Sequence, residues 1–172
     1  MIFRFKTSYV ALFVAISIWF FWLLIPTFYL LATKIPDFNK LNKANGILTY
    51  VEVKNRGVTS DITVLKTDNG DMTFSCKDAL TNDNSCYTFE YNRRHENISA
   101  TIYWYKRIIY PFISVNYPVQ IESNKQILLS YERSVKNHGF QKVIYPIGCF
   151  IALITIIALF FWNKSRYENI LN

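Results

Sequence analysis

The sequence predicts a membrane protein in which two transmembrane α-helices flank a small, mainly antiparallel β domain, folded as a sandwich or a partly open barrel. Residues 9–32 and 143–162 contain no Lys, Arg, His, Asp or Glu. Between these blocks, hydrophobic residues recur at every second position in several short runs that are separated by turn residues. Alternation with this period is typical of strands that have one buried face.

The first apolar block is predicted to be an uncleaved membrane anchor. As a helix, residues 9–32 would extend about 36 Å at about 1.5 Å per residue, which exceeds a hydrocarbon core of about 30 Å. The block is longer than the hydrophobic region of a signal peptide, which has about 7–15 residues, and no small-residue cleavage pattern follows it. Residues 143–162 are predicted to form the second transmembrane helix.

The intervening residues 33–142 are predicted to form one β domain. Asn69-Gly70 is a strong signal for a tight hairpin turn, because both residue types tolerate positive φ angles. Pro118 lacks an N–H donor, which favours an edge strand. Residues 34–46 and 133–142 are expected to be connectors. The predicted strands are residues 47–53, 62–66, 72–76, 86–91, 98–105, 115–122 and 126–131.

The net charge of +7 does not indicate nucleic-acid binding. Residues 33–142 carry 15 Lys and Arg against 11 Asp and Glu, and the cations are scattered along the segment. Nucleic-acid-binding surfaces need clustered cations. The expected partners are therefore the lipid bilayer and another protein, with a homodimer as a further possibility and no nucleic acid.

The two termini are predicted to be cytoplasmic and the β domain periplasmic, in a multi-pass protein of a bacterial inner membrane. Two spans place both tails, residues 1–8 and 163–172, on one side, and both tails are basic. The charges beside the spans are ambiguous, because a long loop largely escapes the positive-inside rule. Cys76 and Cys86 lie between predicted strands at a spacing that could close a loop with a disulfide, which would persist only in an oxidising compartment.

The sequence favours a binding protein over an enzyme. No metal-ligand spacing, nucleophile motif or glycine-rich phosphate loop is visible, so no cofactor and no metal are expected. His95 and His138 lie in polar, loop-like sequence and are expected to be solvated. Cys149, inside the second apolar block, is expected to be an inert small hydrophobe.

Small residues predict how the two helices pack. In an antiparallel pair, alanines at one end of the first block would face bulky residues of the second, and Trp22 would face small residues of the second block. This packing would form within one chain, or the same faces would form a homodimer. The residues concerned are Ala11, Ala15, Trp22, Gly148 and Ala152.

One surface of the β domain has the composition of a protein-binding site. Tyrosine and arginine are enriched at interface hot spots, and the outward face of the strand over residues 98–105 is expected to carry two tyrosines. The candidates are Tyr91, Arg93, Arg94, Tyr103 and Tyr105. We expect a non-enzymatic protein-binding function, such as an immunity or exclusion factor; the alternatives are an accessory subunit of a larger membrane complex and an enzyme that uses a periplasmic histidine.

Overall fold

The computed structural model describes residues 2–55, 58–75, 96–109, 113–124 and 126–171, with side chains described for residues 10–51, 62–75, 96–109, 113–124, 126–162 and 165. The chain divides into two compact units. Met1–Ala32 and Phe140–Asn172 form one of them, here called the helical unit. Thr33–Gly139 form the other, here called the β unit.

The helical unit contains the two long apolar helices that the sequence predicts. The first consists of α1 (Ile2–Trp19), a π-helical turn (Phe20–Leu24) and α2 (Ile25–Ala32). The second is α3 (Tyr131–Leu171), which belongs to this unit from Phe140 onward. By length and composition, Val10–Ala32 and Tyr131–Trp162 could each span a membrane.

Proline explains the wide turn in the first helix. A proline ring clashes with the carbonyl four residues earlier, and here Pro26 follows the π-helical turn that contains Trp22. Thr27 Oγ1 donates a hydrogen bond of 2.6 Å to the carbonyl oxygen of Leu23 in the same turn. Pro146 is near the start of the predicted second span but lies well inside α3, because that helix begins at Tyr131 and includes the predicted connector over residues 133–142.

The six described strands form one antiparallel sheet that does not close into a barrel, so the sheet confirms the antiparallel prediction but not a sandwich. The order across the sheet is β3-β2-β1-β4-β5-β6. The predicted strand over residues 86–91 lies outside the described residues. The strands are β1 (Asn42–Asn55), β2 (Val58–Thr67), β3 (Gly70–Phe74), β4 (Ile98–Ile109), β5 (Ile113–Ser123) and β6 (Gln126–Leu129).

Strand β1 joins two hairpins because its two halves pair with different neighbours. Its first half pairs with β4, from Asn42 opposite Trp104 to Leu48 opposite Ile98. Its second half pairs with β2, beginning at Ile47 opposite Lys66. The strand therefore starts inside the segment that was predicted to be a connector, because pairing with β4 satisfies the backbone there.

Pro118 does not mark an edge strand, which corrects the prediction. β5 lies between β4 and β6 in the sheet. However, β6 pairs only with residues 121–123 of β5, so it does not reach Pro118. Pro118 itself is opposite Trp104, next to a register shift between Tyr103 and Trp104. A missing N–H is tolerated at such an irregularity.

The core of the β unit lies on one face of the sheet. Phe74 is 1% exposed, and its ring meets the Trp104 ring edge-on with 6.0 Å between centroids. This contact links β3 to β4, which are not neighbours in the sheet. The buried core residues are Leu48, Leu65, Phe74, Ala100, Ile102, Ile121 and Leu128.

The first turns of α3 hold the segment that follows α2. The hydroxyl of Tyr131 donates to the carbonyl of Pro36 at 2.9 Å, and His138 Nε2 contacts the carbonyl of Thr33 at 3.1 Å. A carbonyl can only accept, so Nε2 carries the proton. His138 is buried, at 8% exposed, which corrects the expectation of a solvated histidine.

Candidate binding site of the β unit

The end of β3 meets β5 across a seam between strands that are not neighbours in the sheet order. The backbone N–H of Ser75 donates to the carbonyl of Asn116 at 3.0 Å. The side-chain Nδ2 of Asn116 donates to the carbonyl of Thr73, also at 3.0 Å. Asn116 therefore bonds to β3 through both its backbone and its side chain, and the sheet curls without closing.

A cleft of about 350 Å³ opens at this seam. Its lining is mainly apolar and includes the buried ring of Phe74 and the side chain of Ile113, which is 53% exposed. The lining also contains hydroxyl and amide groups. The lining residues are Ile62, Thr73, Phe74, Ser75, Ile109, Ile113, Ser114, Val115 and Asn116. Protein interfaces likewise combine apolar side chains with hydrogen-bonding groups.

Tyr103, from the predicted binding surface, is half-buried at the start of the β unit. Its ring packs against Phe38 with 4.8 Å between centroids, and the Nζ atom of Lys43 lies 5.7 Å from the ring centroid. Tyr131 packs against Phe38 from another side, at 5.5 Å. Tyr103 thus belongs to an aromatic cluster beside the segment that connects α2 to β1.

Tyr105 does not share an exposed face with Tyr103, contrary to expectation. It is only 9% exposed and meets Tyr117 edge-on at 5.8 Å. The physical reason is that the Tyr117 ring of β5 covers the face of β4 at Tyr105. Buried positions of β4 have even numbers up to Ile102 and odd numbers from Tyr105 onward.

Arg107 is also buried, at 4% exposed, with its guanidinium carbon 4.7 Å from the centroid of the Tyr117 ring. A cation over an aromatic face is attracted by the negative face of the ring. Arg107 and Tyr105 therefore contribute to the packing between β4 and β5, and neither offers its side chain to solvent.

Several predicted site residues lie outside the described residues, namely Cys76, Cys86, Tyr91, Arg93, Arg94 and His95. The predicted disulfide between Cys76 and Cys86 therefore also lies outside the described residues and is not supported. Cys149, the cysteine that the structure describes, is a buried free thiol. Within the described part of the chain, no group of three His, Cys, Asp or Glu residues is placed to hold a metal ion.

A hydrogen bond joins the two helices of the helical unit at residues that the sequence did not single out for packing. Trp19 Nε1 donates a hydrogen bond of 2.8 Å to the backbone carbonyl of Cys149, and Cys149 is 5% exposed. Trp22 is instead 69% exposed, and no described atom lies within 4 Å of a Cβ built on Gly148. Of the predicted alanines, Ala11 is exposed, whereas Ala15 and Ala152 are half-buried.

Replacing Trp19 by phenylalanine should destabilise the helical unit. The change removes the indole donor to Cys149 and keeps an aromatic ring. A hydrogen bond within a protein contributes about 0.5–1.5 kcal/mol net, so a loss of about 1 kcal/mol is expected. Trp22→Phe is the matched control, because Trp22 is exposed. Denaturation in mixed micelles measures both variants, and equal losses would contradict the role of Trp19.

No known protein family, curated protein or solved structure matches the chain. Sequence reasoning also missed the seam, because Thr73 and Asn116 are 43 residues apart and neither belongs to a motif. The alternation within each strand gives no sign of which distant strand it meets. The candidate site therefore rests on the geometry of this chain alone.

Proposed function

We propose that the chain is a two-pass protein of a bacterial inner membrane that displays its β unit in the periplasm, where the unit binds another protein. An immunity or exclusion factor that blocks an incoming toxin or phage product is the function we favour. The observation that carries the binding role is the cleft between β3 and β5, whose lining combines apolar side chains with hydroxyl and amide groups.

Large exposed side chains support membrane insertion of the helical unit. Phe13 is 74% exposed, and Trp22 and Phe150 are each 69% exposed. Soluble proteins rarely leave large contiguous apolar patches in contact with water, whereas a bilayer covers such side chains. Short basic tails support cytoplasmic termini, because Lys and Arg in short segments orient membrane proteins.

The cleft suits a partner that inserts an apolar side chain. Ile113 is more than half exposed, so it can contact a partner without prior unfolding of the unit. Residues that bury apolar area at the centre of an interface contribute most of its binding energy. The Ser114 hydroxyl and the Asn116 amide lie in the same lining and can bond to the partner's polar groups.

Ile113→Asp should abolish partner binding and leave the β unit folded. A carboxylate in the cleft would lose its water when the partner binds, which we expect to weaken binding by about 30-fold or more. Ile127→Asp is the matched control, because Ile127 is 60% exposed on β6 and does not line the cleft. Cells that express the full chain would be challenged with a panel of phages and secreted toxins, with survival as the readout.

The expected result is protection by the wild-type chain and by Ile127→Asp, and loss of protection in Ile113→Asp. Equal protection by both variants would show that the cleft is not the binding site. If no challenge shows protection but the wild-type chain co-purifies with an endogenous membrane complex, the role is that of an accessory subunit. A reporter fused to the C-terminus tests the orientation. The proposed orientation requires that the reporter be active on the cytoplasmic side.

A further inference from the structure

Among the described side chains of the β unit, most exposed cations lie in two segments, one that follows α2 in the chain and one in the first turns of α3. Residues 33–43 and 131–139 contain two acids, Asp37 and Glu132, and five cations. We call these cations the basic collar, and all five are exposed. They are Lys34, Lys40, Lys43, Arg133 and Lys136.

The rest of the β unit has no net charge. In the sequence, residues 44–130 contain nine Lys and Arg and nine Asp and Glu. Among the described side chains of this segment, those of Lys66 and Lys106 are exposed and that of Arg107 is buried. The excess of cations in the β unit therefore lies in the two collar segments.

Hydrogen bonds bring the two collar segments together. His138 donates to the carbonyl of Thr33, and the Tyr131 hydroxyl donates to the carbonyl of Pro36. Lys34 follows Thr33 directly, and Lys136 lies between Tyr131 and His138 on α3. These contacts place both lysines at one end of the β unit, although they are far apart in the chain.

The collar also lies close to both apolar helices along the chain. Lys34 is the second residue after the end of α2 at Ala32. Lys136 precedes the apolar stretch that begins at residue 143 by about 10 Å of helix. A headgroup layer several ångströms thick covers each side of the hydrocarbon core, and lysine side chains extend toward such a layer.

We propose that the basic collar binds the anionic headgroups of phospholipids on the side of the membrane that holds the β unit. This inference rests on the proposed membrane insertion and is independent of the protein-binding cleft. The favoured ligand is a headgroup with net negative charge, such as phosphatidylglycerol. A zwitterionic headgroup carries no net charge for the collar to neutralise.

The test compares two double variants with equal net charge. Lys34→Gln with Lys136→Gln removes two collar charges; Lys66→Gln with Lys106→Gln removes two exposed charges from the strands. Each full-length chain would be released from neutral micelles that contain equal amounts of phosphatidylglycerol and phosphatidylcholine. Native mass spectrometry then gives the ratio of the two lipids that remain bound.

The wild-type chain and the strand variant should retain phosphatidylglycerol over phosphatidylcholine. Each lysine near an anionic surface contributes about a fivefold preference, so the collar variant should lose about 30-fold. Lys34→Arg with Lys136→Arg keeps both charges and should restore the preference. Equal losses in the collar and strand variants, or no preference in the wild-type chain, would overturn the proposal.

Extraction of membranes with alkaline carbonate distinguishes failure of the proposed membrane insertion from failure of the collar proposal alone. A chain that leaves the membrane under this treatment is not inserted, and the proposed function fails with the collar. If the chain stays in the membrane but shows no lipid preference, only the proposed lipid binding by the basic collar is excluded. Inorganic phosphate at millimolar concentration should leave the lipid ratio unchanged, because the proposed ligand is the headgroup at the bilayer surface.

Discussion

Phe74→Ala is expected to lower the free energy of unfolding of the β unit by about 3–5 kcal/mol, the usual cost of removing a buried phenyl ring. The ring is 1% exposed and meets Trp104 edge-on. It therefore fills the space between β3 and β4, and alanine would leave a cavity there. Since the stability of a small domain is about 5–15 kcal/mol, the variant should lose a large part of it.

Truncation of an exposed hydrophobic side chain to alanine provides the control for Phe74→Ala. Ile127→Ala alters a side chain that is 60% exposed, and surface substitutions of this kind usually change stability by less than about 0.5 kcal/mol. Urea unfolding of the full chain in mild detergent, followed by far-ultraviolet circular dichroism, measures both variants. Comparable stability of Phe74→Ala and Ile127→Ala would show that Phe74 does not support the core.

Gly46→Ala is expected to destabilise the β unit by about 3 kcal/mol, at the upper end of the cost of overpacking. A Cβ built on Gly46 would clash with the Lys66 carbonyl oxygen, lie 2.9 Å from the carbonyl carbon of Lys66 and lie 3.1 Å from Cγ of Leu65. The carbonyl cannot move away freely, because Lys66 is paired with Ile47 of β1. Glycine is thus required where β1 turns from pairing with β4 to pairing with β2.

Gly139→Ala is the matched control, with the opposite expected sign. Gly139 lies inside α3, and no described atom is within 4 Å of a Cβ built there. Alanine favours a helix interior over glycine by about 0.5–1 kcal/mol, so this variant should be more stable than the wild type. Thermal unfolding compares the stabilities of the two variants. A higher melting temperature in both would show that position 46 tolerates a side chain.

Features that depend on neighbouring residues could be predicted from the sequence. The apolar helices follow from uncharged stretches, and a turn between β2 and β3 was predicted from Asn69-Gly70. In the structure the turn residues are Asp68 and Asn69, and Gly70, at the start of β3, has a φ of 116°, in the region that glycine alone adopts freely. Thr67 pairs with Gly70 across this turn. Four of the predicted strand cores likewise lie inside described strands, because alternation is a local property.

Features that depend on distant residues could not be predicted. Tyr105 was expected on an open face, but Tyr117 of the neighbouring strand β5 covers it. Pro118 was expected on an edge strand, but β5 lies between β4 and β6, and β6 pairs with it beyond Pro118. In both cases the partner strand decides which face or edge is open, and alternation within one strand carries no information about its partner.

By itself, the sequence determined that two apolar helices flank an antiparallel β unit, because burial and turn formation act over a few residues. The tertiary structure decided which strands pair, which residues line the cleft and how the two segments of the basic collar come together. It joined β1 to β4 and Asn116 to Thr73 through hydrogen bonds between residues far apart in the chain. Such pairings depend on the whole arrangement of strands, since each backbone group can bond equally well to many alternatives.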